Sequence, residues 1–133
     1  MRSVTFISVL ALCFACIGTK KSDNLNGTWV PVKQEIGGTE IPATSFQKQV
    51  LIISDSTYTF TAESVDKGVL KYDAARMDIY GKNGLNSGKH ISAIYKLIKE
   101  ELTICYNLQG DSYPTNFETK NKPTFFLSVF KRK

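Results

Sequence analysis

Few residues of this chain could do chemistry on their own, and the one best supported by its neighbours is Cys16. It follows the stretch MRSVTFISVLALCFA, in which Arg2 precedes an apolar run that ends in the small residue Ala15. A positive start, an apolar run of about a dozen residues and a small final residue are typical of a signal peptide, and the run is too short to span a bilayer. Residues 1–15 are therefore predicted to be a signal peptide. Cys16, directly after the cleavage position, is predicted to carry a lipid anchor.

The signal peptide could be removed by ordinary cleavage or by lipoprotein cleavage, and the sequence leaves both alternatives open. Lipoprotein signals usually have small residues just before the cysteine and an aliphatic residue at the third position back, whereas here Phe14 is large and Cys13 takes the aliphatic place. Either cleavage exports a domain at 25–133, preceded by a solvated tether at 16–24. Lipidation would add firm membrane attachment, because each buried methylene contributes about 0.8 kcal/mol. The predicted location is the bacterial cell envelope, as an outer-membrane lipoprotein that faces the periplasm or the surface.

The other candidates for catalysis or metal binding are His90 and Cys105. The chain has one histidine and three cysteines, and Cys13 and Cys16 belong to the signal region. One histidine and one cysteine are too few for a structural metal site. A nucleophilic Cys–His pair is conceivable, but the predicted strand pairing separates the two residues by roughly 13 Å. We therefore predict no catalytic residue, no metal, no cofactor and no disulfide, with Cys105 as a small buried apolar residue.

Charge and glycine patterns exclude further functions. The net charge of +5 is scattered, without the clustered basic patch expected of a nucleic-acid-binding protein. The adjacent acids Glu100 and Glu101 lie in a predicted hairpin turn and are solvated. The glycine-rich loop 82–88 precedes a strand rather than a helix, so it lacks the helix N-terminus of a phosphate site. We interpret it as a flexible loop at the rim of the fold, or a lid.

The elements that must position these residues are almost all strands. The segment 41–48, with Pro42 in its first turn, could form one short helix. Elsewhere apolar and polar residues alternate, with many β-branched and aromatic residues, and turn residues separate the runs. Eight strands are predicted, at 28–36, 49–54, 57–65, 68–72, 76–81, 90–98, 102–107 and 124–132. Mostly short connections between consecutive antiparallel strands predict an all-β, eight-stranded up-and-down barrel, which removes exposed sheet edges.

The predicted hairpin at 97–102 indicates which side chains face inward. A turn at Lys99 and Glu100 pairs Leu97 with Leu102, and it continues the pairing to Tyr95 with Ile104 and Ala93 with Tyr106. The alternation in 57–65 places Tyr58, Phe60, Ala62 and Ser64 on the same inner face. Large apolar, tyrosyl and small residues together leave room for a pocket. The predicted ligand-lining residues are Tyr58, Phe60, Tyr95, Ile104 and Tyr106.

The two ends of the domain carry a further pattern. Leu25-Asn26-Gly27-Thr28-Trp29 opens the first strand and Phe130-Lys131-Arg132 ends the last. Between them lie Gly37-Gly38-Thr39-Glu40-Ile41-Pro42, Ile94-Tyr95, Leu102, Ile104-Cys105 and Pro114-Thr115. The whole pattern resembles a family of small exported bacterial lipocalin-like domains, first noticed in planctomycetes and without an assigned function. The resemblance implies a lipocalin-like barrel whose structural kernel is Gly27, Trp29 and Arg132, with the guanidinium across the indole face.

Two function classes follow, and a third is weaker. The first is a monomeric binding protein that holds a small apolar or amphipathic ligand inside the barrel and reaches the membrane only through its lipid anchor. The alternative is an envelope interaction protein or inhibitor that binds a macromolecule through the loops 82–88 and 108–123, with Tyr113-Pro114 at a contact tip. An enzyme is the least supported class, because no polar constellation for catalysis is visible.

Overall fold

Nine antiparallel strands and one short helix account for the regular structure of residues 23–133. A computed structural model describes residues 23–133; the predicted signal peptide, Cys16 and most of the predicted tether lie outside the described residues. The strands are β1 (Gly27–Ile36), β2 (Thr39–Ile41), β3 (Val50–Ser54), β4 (Thr57–Thr61), β5 (Val65–Asp73), β6 (Arg76–Asn83), β7 (His90–Ile98), β8 (Glu101–Asn107) and β9 (Phe125–Arg132).

Pairing between the first and last strands closes the sheet into a barrel. Strands β3 to β9 pair in sequence order, β1 pairs with β3, and β1 also pairs with β9. The β1–β9 register runs from Trp29 opposite Arg132 to Ile36 opposite Phe126, with an irregularity between Pro31 and Lys33. The predicted all-β, eight-stranded antiparallel barrel is confirmed, and its closure leaves none of the eight barrel strands with a free edge.

Two small elements differ from the prediction. β2 is a three-residue strand that pairs with the end of β1 and was not predicted. The helix expected at 41–48 is reduced to a single 3-10 turn at Ala43–Ser45, preceded by Pro42. Both lie at the same end of the barrel, which we call the open end, together with the loops 62–64, 82–89 and 108–124.

The β4–β5 connection was predicted wrongly. The sequence suggested a strand to residue 65 and a turn at Asp66 and Lys67, but β4 ends at Thr61 and the chain turns at 62–64. Asp66 instead lies within β5, opposite Phe60. Ala62 and Ser64 are consequently turn residues rather than inward-facing strand residues. A carboxylate can occupy the inner face because other side chains donate hydrogen bonds to it.

The predicted hairpin register is confirmed between β7 and β8. Leu97 pairs with Leu102, Tyr95 with Ile104 and Ala93 with Tyr106. The inner residues of these strands belong to a core that continues down to Leu25 and Trp29, both fully buried. Trp29 and the turns at 55–56, 74–75 and 99–100 define the opposite, closed end of the barrel.

The long connection between β8 and β9 packs against the outer wall. Thr103 and Cys105 point away from the barrel interior, yet both are buried. Pro114 and Thr119 of the connection are also buried. Thr119 donates a hydrogen bond to the Glu35 carboxylate on β1, so the connection covers strands that would otherwise face solvent.

Candidate functional site

The barrel contains a cavity of about 150 Å³ that lies toward the open end. It reaches the surface beside Leu108, which lines it and is 43% exposed. Most of its wall is aliphatic or aromatic: Leu51, Ile53, Tyr58, Phe60, Leu70, Met77, Ile79, Ile91, Ile104, Tyr106, Leu108, Phe126 and Phe130. An apolar, concave space with few polar groups is the usual form of a small-molecule site.

One polar cluster in this wall is centred on Asp66. The Asp66 carboxylate accepts hydrogen bonds from the Tyr58 hydroxyl at 3.2 Å, from the Asn86 backbone N–H at 3.2 Å and from Asn86 Nδ2 at 2.7 Å. Burial and then the charge of Asp66 raise the pKa of Tyr58. Tyr58 therefore stays protonated and donates its hydrogen bond to the carboxylate across the physiological pH range.

Two glycines allow the cluster to form. A Cβ at Gly68 on β5 would overlap the Tyr80 carbonyl and come within 2.7 Å of Tyr58 Cε1, so only glycine lets the Tyr58 ring lie against this strand. Gly84 has φ of +98°, and a Cβ there would lie 2.8 Å from Asp66 Oδ1. The backbone of both positions thus leaves the space that Tyr58 and Asp66 occupy.

The loop 82–88 is attached to this cluster. It presents Asn86 to Asp66, and its own backbone is bonded by Ser87 N–H to Gly84 O and by Gly88 N–H to Gly81 O. The loop lies at the rim, as predicted, and Asn86 contributes to the cavity wall.

A second polar position in the wall is Gln34 on β1. Its Nε2 donates to Gln49 Oε1 at 2.6 Å and lies 3.4 Å from the buried Ser128 hydroxyl. The amide is therefore already engaged with protein groups on two sides. The cavity wall thus has two polar positions, one formed by Asp66 with Asn86 and one by Gln34, and the rest of it is aliphatic or aromatic.

Four of the five predicted lining residues reach the cavity, and one does not. Tyr58, Phe60, Ile104 and Tyr106 are part of its wall. Tyr95 faces inward and is buried, but it packs edge-to-face on Tyr72 with ring centroids 5.8 Å apart, outside the cavity wall. Strand alternation predicted that Tyr95 points inward. It did not predict where along the barrel axis Tyr95 lies relative to the cavity.

The predicted kernel residues meet at the closed end. Arg132 Cζ lies 4.3 Å from the centroid of the Trp29 ring, and Trp29 Nε1 donates to the Leu25 carbonyl at 2.9 Å. The guanidinium also donates to the Asn26 and Asn24 carbonyls and to Glu100. A Cβ at Gly27 would come within 2.8 Å of Arg132 Nη1, so glycine admits the guanidinium here.

His90 and Cys105 are not brought together. His90 Nε2 lies 2.7 Å from Asp78 Oδ1, and its ring stacks on Tyr80. Cys105 pairs with Ile94 and is fully buried, as predicted. Burial raises the pKa of its thiol to about 11, which disfavours the reactive thiolate. Within residues 23–133, no group of three or more His, Cys, Asp or Glu side chains could hold a metal ion.

Tyr113 and Pro114 were predicted to form a partner-contact tip; the structure packs both against the barrel wall, and the partner contact stays a prediction. The Tyr113 hydroxyl donates to the Asp78 carboxylate at 2.7 Å, and Arg76 Cζ lies 4.6 Å from the Tyr113 ring centroid. Pro114 is buried. These contacts hold the connection against β6, because Asp78 accepts a hydrogen bond from the tyrosine hydroxyl and Arg76 lies over the tyrosine ring.

Gln34, Asp66 and Asn86 are the polar site residues that sequence reasoning missed. Aspartate near glycine is typical of a turn, and Asn86 lies in a segment with the composition of a loop. One signal could have found Asp66: an alternation continued from Leu70 through Gly68 places residue 66 on the inner face.

Comparisons with known proteins inform the fold alone. No protein-family model matches the chain, and no curated protein matches it. A crystal structure of an uncharacterized protein from Bacteroides eggerthii DSM 20697 is similar, with a TM-score of 0.52 and 9% sequence identity over 83% of this chain and 100% of that chain. The lipocalin-like family resemblance stays a prediction. Among the described residues, no helix is long and apolar enough to cross a membrane.

Proposed function

We propose that this protein binds a small apolar or amphipathic ligand inside its barrel. The observation that carries the proposal is the cavity of about 150 Å³ with an almost wholly apolar wall. An engineered apolar cavity of about this size in another protein binds benzene or xenon, whereas drug-sized ligands occupy roughly 300–1,000 Å³. The ligand therefore has a compact body, of the size of one ring or a short alkyl chain.

The wall supports binding rather than catalysis. Tyr58, Phe60 and Tyr106 offer aromatic faces, and Ile104 offers an aliphatic one. Burial of a ligand against such surfaces contributes about 25 cal/mol per Å² of apolar area removed from water. In this proposal, the protein acts as a monomeric binding module without a catalytic residue or a cofactor.

A xenon or benzene titration of the purified protein, followed by NMR, tests this proposal. Both probes should shift resonances of cavity residues, and Ile104→Phe should abolish the shifts by filling the space. Ile98→Phe is the matched control, because Ile98 lies on the neighbouring strand and is 60% exposed. Circular dichroism confirms that each variant is folded. Absence of any shift in the wild-type protein would show the proposal to be wrong.

The alternative function is a macromolecular interaction through the loops, for an envelope protein or inhibitor. The observation that favours it is Leu85, an apolar residue 78% exposed in the loop 82–88. Leu85 directly precedes Asn86 of the cavity wall, so a partner that covered the loop would remove this apolar side chain from water. The buried residues of 108–123 reduce the surface available to that segment. Leu85→Ser should weaken a macromolecular complex and leave xenon binding unchanged.

We also propose export and lipid attachment at Cys16, on the basis of the sequence pattern. Residues 23 and 24 precede the closed end, where the Asn24 carbonyl accepts a hydrogen bond from Arg132. An anchor at Cys16 would thus join the barrel at the end opposite the cavity mouth. Metabolic labelling with an acyl probe should mark the wild-type protein and not Cys16→Ser, and labelling of both would contradict the attachment site.

A further inference from the structure

We propose that the cavity selects ligands with a protonated amine on a compact apolar body, and that Asp66 is the counter-ion of that amine. This inference rests on the proposed function and specifies its ligand class. The carboxylate belongs to the cavity wall and is only 6% exposed. A buried carboxylate at the mouth of an apolar space is the strongest feature by which this cavity can discriminate between ligands.

Asp66 has no cationic partner within the protein's described residues. The two ion pairs found between residues 23 and 133 join His90 to Asp78 and Arg132 to Glu100. Buried charges in proteins are usually paired, because desolvation of an isolated ion is unfavourable by several kcal/mol. A ligand cation would supply the missing charge.

The hydrogen bonds of Asp66 leave room for such a partner. Its donors are one hydroxyl and two groups of Asn86. A carboxylate offers about four acceptor positions, so one further donor can bind. All three protein donors are neutral, and none of them compensates the negative charge in the way that a guanidinium or ammonium would.

The aromatic wall favours the same chemistry. Tyr58, Phe60 and Tyr106 line the cavity, and Tyr106 stacks on Phe126 with centroids 5.6 Å apart. Aromatic faces attract ammonium groups, and the attraction increases when the group is desolvated. A carboxylate and aromatic rings around one cavity therefore both favour a cation and disfavour an anion.

Three probes with the same ring separate charge from size. Benzylamine is a cation at pH 7, benzyl alcohol is a neutral donor and toluene has no polar head. Isothermal titration calorimetry of the purified protein should show benzylamine binding at least about tenfold more tightly than benzyl alcohol, because the ammonium makes a charged hydrogen bond to Asp66 and the hydroxyl makes a weaker one.

The variant Asp66→Asn removes the charge and keeps the shape of the side chain. It should reduce the preference for benzylamine over benzyl alcohol to about twofold or less. Asp73→Asn is the matched control on the same strand, since Asp73 is exposed at the far end of β5. The control should keep the full preference for the amine.

The outcomes separate this inference from the proposed function. Equal affinities of the wild-type protein for the three probes would overturn the amine selectivity and leave the binding function intact. Absence of binding by all three probes, together with absence of xenon binding, would overturn both. If Asp66→Asn does not fold, the ratio of amine to alcohol affinity in the wild-type protein decides alone, because those probes share one ring.

Discussion

The two ends of the barrel differ in how the protein compensates a charged side chain. At the closed end, the Arg132 guanidinium stacks on Trp29, pairs with Glu100 and donates to two backbone carbonyls. At the open end, the Asp66 carboxylate is buried beside a cavity and is held by neutral donors. At the closed end, the positive charge of Arg132 therefore has its partners within the protein. The open end leaves space beside the carboxylate and an unused acceptor position, so the proposed ligand recognition belongs there and the closed end serves stability.

The largest expected effect is that of Trp29→Ala at the closed end. Trp29 is fully buried, and truncation of a buried tryptophan lowers the free energy of unfolding by about 3–5 kcal/mol. Phe60→Ala is the matched truncation at the mouth and should lower it by clearly less, because Phe60 already borders empty space. Urea denaturation measures both. Equal losses would remove the proposed difference between the two ends.

Arg132→Lys should have the next largest effect. Lysine keeps the positive charge but loses the planar stack on Trp29 and the forked hydrogen bonds, so we expect a loss of about 1–2 kcal/mol. Lys131→Ala is the control, since Lys131 is the exposed neighbour on the same strand. Thermal or urea unfolding of the two variants gives the comparison. A stability of Arg132→Lys equal to that of the wild-type protein would mean that charge alone acts at this position.

A stabilising change is expected in a turn at the closed end. Ala74 and Ala75 have φ of +44° and +81°, a conformation that glycine adopts with less strain than alanine. Ala75→Gly should raise the free energy of unfolding by about 0.5–1 kcal/mol. Ala62→Gly, in the open-end turn and without a positive φ, should lower it instead. A gain in both variants would contradict the assignment of strain to the Ala74–Ala75 turn.

The smallest effect concerns the contact of the long connection with Asp78. Burial raises the pKa of this carboxyl, but hydrogen bonds from Tyr113 and His90 outweigh burial and leave the pKa below its ordinary value of 3.8. Because the folded-state pKa is lowered, the stabilisation is present above pH of about 4 and is lost as pH falls through the folded-state pKa.

Asp78→Asn should therefore lower stability at pH 7 by less than about 1 kcal/mol, since the group is partly exposed and screened. The difference from the wild-type protein should close as the pH falls below about 4. Chemical denaturation over this pH range measures it, with the exposed Glu118→Gln as control. A difference that grew with acidification would show that the sign of the pKa shift is wrong.

Local pattern predicted most of the fold, because barrels of this kind are built from neighbours in sequence. The pairing of Leu97 with Leu102 followed from turn composition and alternation, and so did the inward direction of Tyr58 and Ile104. Closure of β1 on β9 was predicted because eight consecutive strands with mostly short connections can close on themselves and so remove exposed edges.

The polar part of the site was not predictable in the same way. Asp66 and Asn86 are 20 residues apart, and nothing in either segment indicates the other. A buried carboxylate is accepted only when partners from elsewhere in the chain satisfy it. The same holds for Tyr113, whose acceptor Asp78 lies 35 residues away. Sequence periodicity reports which face a side chain occupies, and three-dimensional pairing determines what it meets there.

Closure of the barrel depends on contacts between the two ends of the described chain. Arg132 and Asn26, which meet at the closed end, are 106 residues apart in sequence. The other neighbouring strands of the barrel are joined by turns or single loops. Long-range contacts such as the one between Arg132 and Asn26 form slowly, because the entropy of loop closure opposes them until most of the chain is in place. The hairpins can therefore form early, while β1 keeps an unpaired edge until β9 reaches it. The strand that completes the barrel also carries the arginine that secures its closed end, so loss of the last few residues would remove both the pairing opposite Trp29 and the guanidinium stack on its ring.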